Sequence, residues 1–351
     1  TEILGGDLGS RLVHPNDHVN AGQSSNDTIP TAIHVAAVAG IEQNLLPALD
    51  ALGDALSAKA SEFDDVLKSG RTHLMDATPV RLGQEFAGYA TQVRNGAARV
   101  RKVLPELLEL ALGGTAVGTG INAPEGFARD TIAEMSRRSG YAFVEAPDHF
   151  EAQAAKDATV NASGALKTVA VSLFKIANDL RWMSSGPRTG IAEISLPSLQ
   201  PGSSIMPGKV NPVIAEMVMQ VSSQVIGNDA AITWGGANGN FELNVMMPLI
   251  AHNLLESVDL LATGSVVMRE KMVEGIEADV ERARWLLEQN VIIITALVPV
   301  IGYDRSAEVA KKAFSEGRGV REVALEMGVL PADELEAALD LRPMTEGGVV
   351  G

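Results

Sequence analysis

Cysteine is absent from the 351-residue sequence, which excludes disulfides, thiol nucleophiles and metal sites built from thiolates. Basic residues are also in the minority, because 28 lysines and arginines face 44 acidic residues and the formal net charge is −16. Nucleic acids and anionic membranes both require a basic surface, so neither is expected as a partner. No apolar run reaches about 18 residues, so no membrane span is predicted.

Aromatic residues are scarce at 4%, although hydrophobic residues as a whole make up 46% of the chain. The core must therefore consist mainly of alanine, leucine, valine and isoleucine, and small aliphatic side chains suit close packing of helices. No signal or transit peptide is visible. A cytoplasmic location is expected, or a mitochondrial one in a eukaryotic source.

Apolar residues recur every three or four positions over several long stretches, which is the period of an α-helix. Pro30 is expected in the first turn of the first helix, where proline is tolerated. Shorter helices are predicted after Glu274, and the best strand signal, residues 291–294, fits a buried helix equally well. The long helices are predicted over about residues 29–60, 79–112, 151–183, 213–231 and 243–271. This pattern predicts an all-α protein built on a bundle of long helices.

The segment Gly202–Pro212 is the richest in groups that can bind an anion. Gly202 and Gly208 permit backbone conformations that other residues resist, and successive N–H groups in such a loop can bind an anion. Two hydroxyls, one ammonium and one amide lie within nine residues. By composition alone, a surface connector between two helices is an equally good interpretation.

As an exact string, this segment resembles the signature loop of the fumarase/aspartase superfamily, and the resemblance covers nearly the whole chain. It implies an all-α long-helix bundle, a homotetramer whose active sites are shared between subunits, and elimination of a group from the carbon β to a carboxylate. No metal or other cofactor is expected. The domain organisation implied is a remnant of an N-terminal domain at residues 1–24, a central helical bundle at 25–273 and a small C-terminal domain at 274–351.

Within this loop, called the signature loop below, the resemblance implies that Ser203 is the catalytic base. It also implies that Lys209 and Asn211 hold one carboxylate of the substrate. The neighbouring Ser204 is expected to shape the loop.

A second polar segment spans residues 14–27. A turn followed by a helix cap explains its polar residues, Asp27 among them, without any function. However, Ser24, Ser25 and Asn26 lead into a helix N-terminus, a favourable place for a carboxylate. The resemblance implies that these three residues bind substrate. It also implies a second dicarboxylate site at His14, Asn16 and Asp17.

A third polar segment spans Gly70–Pro79. A lone histidine before a helix is more often structural than catalytic. The resemblance pairs His73 with Glu216, and such a pair can orient a catalytic water while the carboxylate tunes the imidazole. It assigns a substrate contact to Thr72.

Other candidate motifs are weaker. The six histidines lack convincing metal-ligand spacing, and no His-Glu-x-x-His motif occurs. The glycine-rich residues 113–120 follow a predicted helix and not a strand, which disfavours a nucleotide-binding loop. Residues 235–242 are interpreted as a turn between long helices.

Details of the three polar segments and of residues 150–158 resemble the class II fumarate hydratase branch of the superfamily. Aspartases usually carry alanine in place of Gly208 and an acidic residue in place of His18, and residues 72–79 and 150–158 have the fumarase form. The expected reaction is the reversible hydration of fumarate to L-malate, with aspartate ammonia-lyase or another lyase of the superfamily as the alternative.

A non-catalytic helical scaffold is the alternative of a different class. The presence of all five signature residues argues against it; they are Ser203, Lys209, Asn211, His73 and Glu216. Two departures from the family pattern remain. The chain lacks a Ser-Gly-Thr loop of the N-terminal domain that contacts substrate in the family, and Val298 stands where relatives often have asparagine.

Overall fold

The computed structural model describes residues 1–200, 202–203 and 205–348 of the chain. Contacts within the chain divide it into two compact units, each assembled from three stretches. The first unit comprises residues 1–50, 93–175 and 217–266, and the second comprises residues 51–92, 176–216 and the chain from Val267 onward. The domain boundaries expected near residues 24 and 273 stay predictions.

Helices dominate the described residues, and the prediction of an all-α protein is confirmed. The helices are α1 (Ser25–Gly40), α2 (Leu46–Glu62), α3 (Leu82–Leu107), α4 (Phe127–Ser139), α5 (His149–Ala154), α6 (Asp157–Met183), α7 (Val213–Ala237), α8 (Met247–Lys271), α9 (Val280–Gln289), α10 (Val298–Ile301), α11 (Tyr303–Glu316), α12 (Val320–Glu326) and α13 (Ala332–Ala338). Short 3₁₀ or π turns cover Glu2–Leu4, Pro15–Val19, Ile41–Leu45, Val273–Gly275, Val291–Leu297 and Pro343–Thr345.

The strands are short and form two-stranded ladders. They are β1 (Leu67–Thr72), β2 (Met75–Arg81), β3 (Glu109–Leu110), β4 (Val144–Glu145), β5 (Ile194–Ser195), β6 (Gly239–Asn240), β7 (Leu243–Asn244) and β8 (Glu277–Ala278). In the described residues β1 pairs with β2, β3 with β4, β5 with β8 and β6 with β7. The β3–β4 ladder is parallel and the other three are antiparallel.

The first helix begins earlier than predicted. Ser24 caps α1, and reciprocal hydrogen bonds between Ser24 and Asp27 form a capping box. Helix α1 therefore starts at Ser25 and not at Ile29, which places Pro30 inside the helix and beyond its first turn. With the π turn and α2, the helical run extends to Glu62.

This helical run is long and apolar enough, by length and composition, to cross a membrane. Its most apolar window has a mean hydropathy of 1.2, and 44% of that window is already buried within the chain. The core helix of a globular protein has the same properties. The pattern is therefore weak evidence for a membrane span.

The helix predicted to start near Pro79 starts instead at Leu82, because residues 67–81 form a β-hairpin. Pro79 pairs with Ser69 in its ladder. Proline disfavours helical geometry in the residue before it, so Thr78 is extended. The side chain of Gln84 accepts a hydrogen bond from the backbone N–H of Arg81 at 2.9 Å and caps the helix that follows.

Three further differences from the predicted helices have local causes. The helix predicted over 151–183 is interrupted after Ala154, where Ala155 is extended. The helix predicted from residue 243 begins at Met247 because the β6–β7 hairpin precedes it. Helix α4 was not predicted, since Ile132 is its only buried residue and one apolar position carries no periodic signal. Residues 291–294 lie in a 3₁₀ helix, so the helical interpretation was right.

Each unit has its own apolar core. The first unit buries aliphatic side chains of α1, α3, α6, α7 and α8, including Ile33, Val38, Val100, Leu166, Val225 and Leu254. The second unit buries an aromatic row in which Phe63, Phe86 and Tyr89 meet edge to face at centroid distances of 5.2 and 5.7 Å. Its C-terminal helices pack around a further cluster: Leu287, Ile293, Leu297, Val309, Val323 and Leu335.

Candidate active site

The two ends of the signature loop are joined by hydrogen bonds. The backbone N–H of Gly202 donates to the carbonyl of Lys209 at 2.9 Å, and the side-chain amide of Asn211 donates to the carbonyl of Gly202 at 3.0 Å. A Cβ atom on Gly202 would lie 2.1 Å from the Lys209 carbonyl oxygen, so this close approach requires glycine. The loop is thus closed at its base.

Ser203 lies inside this closed loop with its hydroxyl oxygen as a hydrogen-bond acceptor. The backbone N–H groups of Ile205 and Met206 donate to Ser203 Oγ at 3.3 and 3.1 Å. Two N–H donors on one hydroxyl oxygen stabilise negative charge on that oxygen. Ser204 lies outside the described residues.

Two charged residues flank the start of α7 in the sequence: Lys209 precedes the helix and Glu216 lies within it. The Lys209 side chain is exposed, and Glu216 is half-buried in the first turn of the helix. Neither charged group has a hydrogen-bond or ion-pair partner among the described residues of its own chain. Both are therefore available to a ligand or to a neighbouring subunit.

His73 lies at the tip of the 67–81 hairpin. It forms the two-residue turn with Leu74, and both residues have left-handed backbone conformations, with φ of 56° and 59°. This is the geometry of a type I′ turn, which asparagine and glycine adopt more easily than histidine or leucine. Such strained conformations cost about 1–3 kcal/mol each and concentrate at functional sites. The preceding residue, Thr72, is exposed like His73.

His73 forms no hydrogen bond with Glu216 in this chain, and both residues are among those described. A single subunit therefore does not form the predicted His73–Glu216 pair. The His73–Glu216 pairing stays a prediction. Leu74 and Met75, beside His73, are 65% and 69% exposed, so the turn presents apolar surface that a partner can cover.

A buried ionic cluster fixes the base of this hairpin. Glu193 is fully buried and accepts two hydrogen bonds from Arg71, both at 2.9 Å. The Lys68 ammonium is 3.3 Å from Glu193 and 3.0 Å from Glu85. Asn290, also buried, donates to the Ser69 hydroxyl at 3.1 Å and so holds the same strand.

The charges in this cluster are tuned by burial and by one another. Burial alone would lower the pKa of Arg71, but the hydrogen bonds and charge of Glu193 outweigh it and raise that pKa. Burial raises the pKa of Glu85, against the opposing effect of Lys68. None of these residues was predicted from the sequence, although Arg71 lies within a segment that was singled out.

The segment Ser24–Asn26 lies at the N-terminus of α1, as predicted. The Ser24 hydroxyl accepts a hydrogen bond from the backbone N–H of Asn26 at 3.2 Å, so its oxygen already serves as the helix cap. Ser25 is exposed, and the Asn26 amide donates to the carbonyl of Ala116 at 2.8 Å. The helix N-terminus and the polar side chains together offer donors to a carboxylate.

The predicted second dicarboxylate site forms a local cluster. His14 Nδ1 accepts from the backbone N–H of Asp17 at 3.1 Å and lies 3.2 Å from the Asp17 carboxylate. The backbone N–H of His14 donates to His18 Nδ1 at 2.9 Å. Asn16 lies on the same π turn and is exposed. These contacts hold the turn, and binding of a dicarboxylate there stays a prediction.

The described residues contain no group of three or more histidine or acidic side chains able to hold a metal ion.

Comparison with known proteins gives matches along most of the chain. A family model described as "Lyase" matches residues 1–227, and one described as "Fumarase C C-terminus" matches residues 293–346. The protein named "Fumarate hydratase class II" from Nitrosomonas europaea is 54% identical over 347 residues, 99% of this chain and 75% of that relative. The protein of the same name from Mycobacterium tuberculosis is 54% identical over 343 residues, 96% of this chain and 72% of the relative.

Solved structures give the same result. The class II fumarase from Schistosoma mansoni superposes with a TM-score of 0.92 at 37% identity, covering 98% of this chain and 75% of that one. The fumarate lyase:delta crystallin from Brucella melitensis, solved bound to cobalt, gives a TM-score of 0.94 at 48% identity and covers 98% of this chain and 74% of that one.

Proposed function

The chain belongs to the class II fumarate hydratase family of lyases, and we propose that its signature loop and the residues matched above carry out the reaction of that family. The resemblance read from the sequence is confirmed. The enzyme is a hydro-lyase that interconverts fumarate and L-malate by reversible addition of water. The roles of individual residues are the proposal.

Ser203 is the base in this proposal. In the direction of malate dehydration, Ser203 Oγ takes a proton from the carbon next to one carboxylate. The alkoxide form of serine is costly in water, and the N–H groups of Ile205 and Met206, 3.3 and 3.1 Å from Oγ, lower that cost. This pair of donors is the observation that carries the proposal.

Lys209 and Asn211 stabilise the charge that this proton transfer creates. Electrons of the broken C–H bond move onto the adjacent carboxylate as an aci-carboxylate. A fixed ammonium and amide bind that state more strongly than the ground state and so raise the rate. Asn211 already donates one amide hydrogen to Gly202, which leaves the other for substrate.

His73 and Glu216 act on the opposite side of the substrate. The hydroxyl group leaves as water when His73 supplies a proton, and the same imidazole accepts a proton from water in the hydration direction. The substrate carboxylates are bound by four further residues: Thr72, Ser24, Ser25 and Asn26. The cluster of His14, Asn16 and Asp17 is proposed to bind a second dicarboxylate.

The test is Ser203→Ala against Ser204→Ala. Both serines are adjacent in the sequence, so the second variant controls for disturbance of the loop. Ser203→Ala should bind a dicarboxylate normally by calorimetry and lose nearly all formation of fumarate, followed by its ultraviolet absorbance. Retention of substantial turnover in Ser203→Ala, with Ser204→Ala inactive, rules out this assignment.

We propose that the enzyme is a homotetramer whose active sites combine residues of different subunits. The exposed stripe of α7 supports this, because it contains no charged side chain over more than three turns. Its members are Gln220, Ser223, Ile226, Gly227, Ala230 and Trp234. The small residues permit close helix approach, and Trp234 is 72% exposed in the single chain. The unpaired His73 and Glu216 support shared sites.

A charge placed in this stripe tests the assembly. Ala230→Glu should dissociate the oligomer in light scattering and abolish turnover. The matched control is Ala98→Glu, at an exposed position of α3 whose neighbours include Arg94 and Arg101. A wild-type chain that is monomeric and fully active contradicts the proposal.

Since the curated relatives named above are bacterial, we also propose a cytoplasmic location.

A further inference from the structure

Asp27 is a charged residue that is completely buried, with 0% of its surface exposed. Its carboxylate accepts three backbone N–H groups. One oxygen accepts from Ser24 at 2.9 Å, and the other accepts from Gly113 at 3.0 Å and Thr115 at 2.9 Å. A buried carboxylate is stable only when its oxygens are satisfied in this way.

These hydrogen bonds connect two segments far apart in sequence. Gly113 and Thr115 belong to the glycine-rich loop at residues 113–120, and Asp27 follows directly after Ser24–Asn26. A second connection runs in parallel, from the side-chain amide of Asn26 to the carbonyl of Ala116 at 2.8 Å. Two sets of hydrogen bonds, one from Asn26 and one to Asp27, therefore join the start of α1 to the same loop.

A buried side chain of α5 also holds the glycine-rich loop in place. Gln153, which is fully buried, donates its side-chain amide to the carbonyl of Thr115 at 2.9 Å. The loop lies so close to this side chain that a Cβ atom on Gly114 would be 2.0 Å from Gln153 Oε1. Since neither side can shift without breaking these contacts, the loop is a rigid support for the helix N-terminus.

We propose that Asp27 is a positioning residue for substrate binding: its carboxylate locks the Ser24–Asn26 segment onto the glycine-rich loop, so that the donors of Ser24, Ser25 and Asn26 meet a substrate carboxylate in one fixed geometry. Asp27 does not touch the substrate. The inference rests on the function proposed for Ser24–Asn26. Three N–H groups stabilise the charge of this buried carboxylate, so an acidic residue can lie beside a site for an anion.

The sharpest perturbation is Asp27→Asn, which keeps the size of the side chain. An asparagine has one acceptor oxygen, so its NH₂ group must face either the Ser24 N–H or the N–H groups of Gly113 and Thr115. One of the two connections is then lost through repulsion between donors. Fumarate and malate should bind about 10- to 100-fold more weakly, with a matching rise in KM and a much smaller change in kcat.

The matched control is Asp148→Asn. Asp148 caps α5 through a single oxygen, which accepts from the backbone N–H groups of Phe150 and Glu151 at 2.8 and 3.2 Å. Asparagine retains one acceptor oxygen and is an equally good cap. This variant should leave binding and turnover unchanged.

Two further measurements separate positioning from general damage. Binding is measured by calorimetry in a Ser203→Ala background, so the result stands whether or not Ser203 proves to be the base. Asp27→Asn is also combined with Asn26→Ala. If Asp27 acts through this segment, the affinity of the double variant for dicarboxylate is nearly the same as that of whichever single variant binds less tightly.

Unchanged dicarboxylate affinity in a folded, tetrameric Asp27→Asn enzyme overturns the proposal, as does a loss confined to kcat. Additive losses in the double variant also overturn it. If Asp27→Asn does not fold, Gly114→Ala serves instead, because its methyl group would displace the loop from Asp27 without changing the Asp27 side chain itself. It should weaken binding in the same way, and normal affinity in that variant counts against the proposal.

Discussion

Glu193→Gln removes the central charge of the ionic cluster beneath the hairpin that carries His73. The wild-type carboxylate is fully buried and holds Arg71 through two hydrogen bonds of 2.9 Å, with Lys68 at 3.3 Å. Glutamine keeps the volume and one acceptor. The variant leaves the cations Lys68 and Arg71 without the Glu193 charge, although Lys68 retains Glu85 as its partner at 3.0 Å.

The size of the effect follows from what remains uncompensated. Removing one member of a buried ion pair typically costs about 3–5 kcal/mol, because the other charge is left buried without a partner. Lys68 has a side chain only 2% exposed but keeps Glu85, while Arg71 is 17% exposed and reaches some water. Both facts favour the lower end of that range, so a loss of about 3 kcal/mol of unfolding free energy is expected.

The measurement is urea unfolding followed by circular dichroism, at one protein concentration because the enzyme is proposed to be oligomeric. Asp64→Asn is the matched control, since it removes a carboxylate that pairs with Arg81 of the same hairpin at 3.0 Å but is 47% exposed. Exposed pairs contribute about 0–1 kcal/mol. Equal losses in the two variants, or a loss below about 1 kcal/mol in Glu193→Gln, refute the reasoning.

Three further outcomes are expected. Burial lowers the pKa of Lys156 from 10.5 to about 8. Between pH 8 and pH 10.5 the unfolded chain therefore binds more protons than the folded one, so the free energy of unfolding should rise with pH by about 3 kcal/mol in total. Urea titrations across that range should show the rise in wild type and not in Lys156→Met. Gly202→Ala should cut turnover by about 100-fold or more, because its Cβ would lie 2.1 Å from the Lys209 carbonyl oxygen. Gly208→Ala meets open space at a φ of 81° and should lose only about 1 kcal/mol of stability while keeping most turnover; equal damage from both contradicts this account. Lys209→Met should lose roughly 3–4 kcal/mol of transition-state stabilisation, measured as kcat/KM, and near-normal turnover removes Lys209 from the mechanism.

The long helices could be predicted because their signal is local and repeated. The third long helix illustrates both the success and its limit. Its periodic apolar residues were recognised to Met183, but the break after Ala154 was not. Lys156 donates to the carbonyls of Ala152 and Gln153 at 3.0 and 2.9 Å, and these bonds end α5. A lysine within a helical pattern gives no sign that it will do this.

The hairpin at 67–81 was missed for a different reason. Its turn, His73–Leu74, contains none of the glycine or asparagine residues that usually mark a two-residue turn. The strand that precedes it is held by Glu193 and Asn290, which lie 122 and 221 positions from the residues they bind. Contacts at such separation leave no periodic trace in the sequence.

The same limit applies to the candidate site. The N–H donors around Ser203 could be anticipated, because the loop that supplies them is contiguous in sequence. Asp27 was interpreted as part of a helix cap, and the capping box confirms that part of the interpretation. Its bonds to Gly113 and Thr115 span 86 and 88 positions, and nothing local distinguishes a capping aspartate that also holds a distant loop.

A chain with a net charge of −16 must bind a dianion against its own average field. The proposed site meets this requirement mainly with groups that do not titrate. In that proposal the N-terminus of α1 offers backbone N–H donors to the substrate, those around Ser203 stabilise its hydroxyl oxygen, and Lys209 is the cation that the signature loop adds. Two buried acidic residues are compensated locally, since Asp27 accepts three N–H groups and Glu193 binds Arg71. Short-range donors of fixed direction outweigh a distant negative field, because water and salt screen the field and do not screen a hydrogen bond at 3 Å to the same degree.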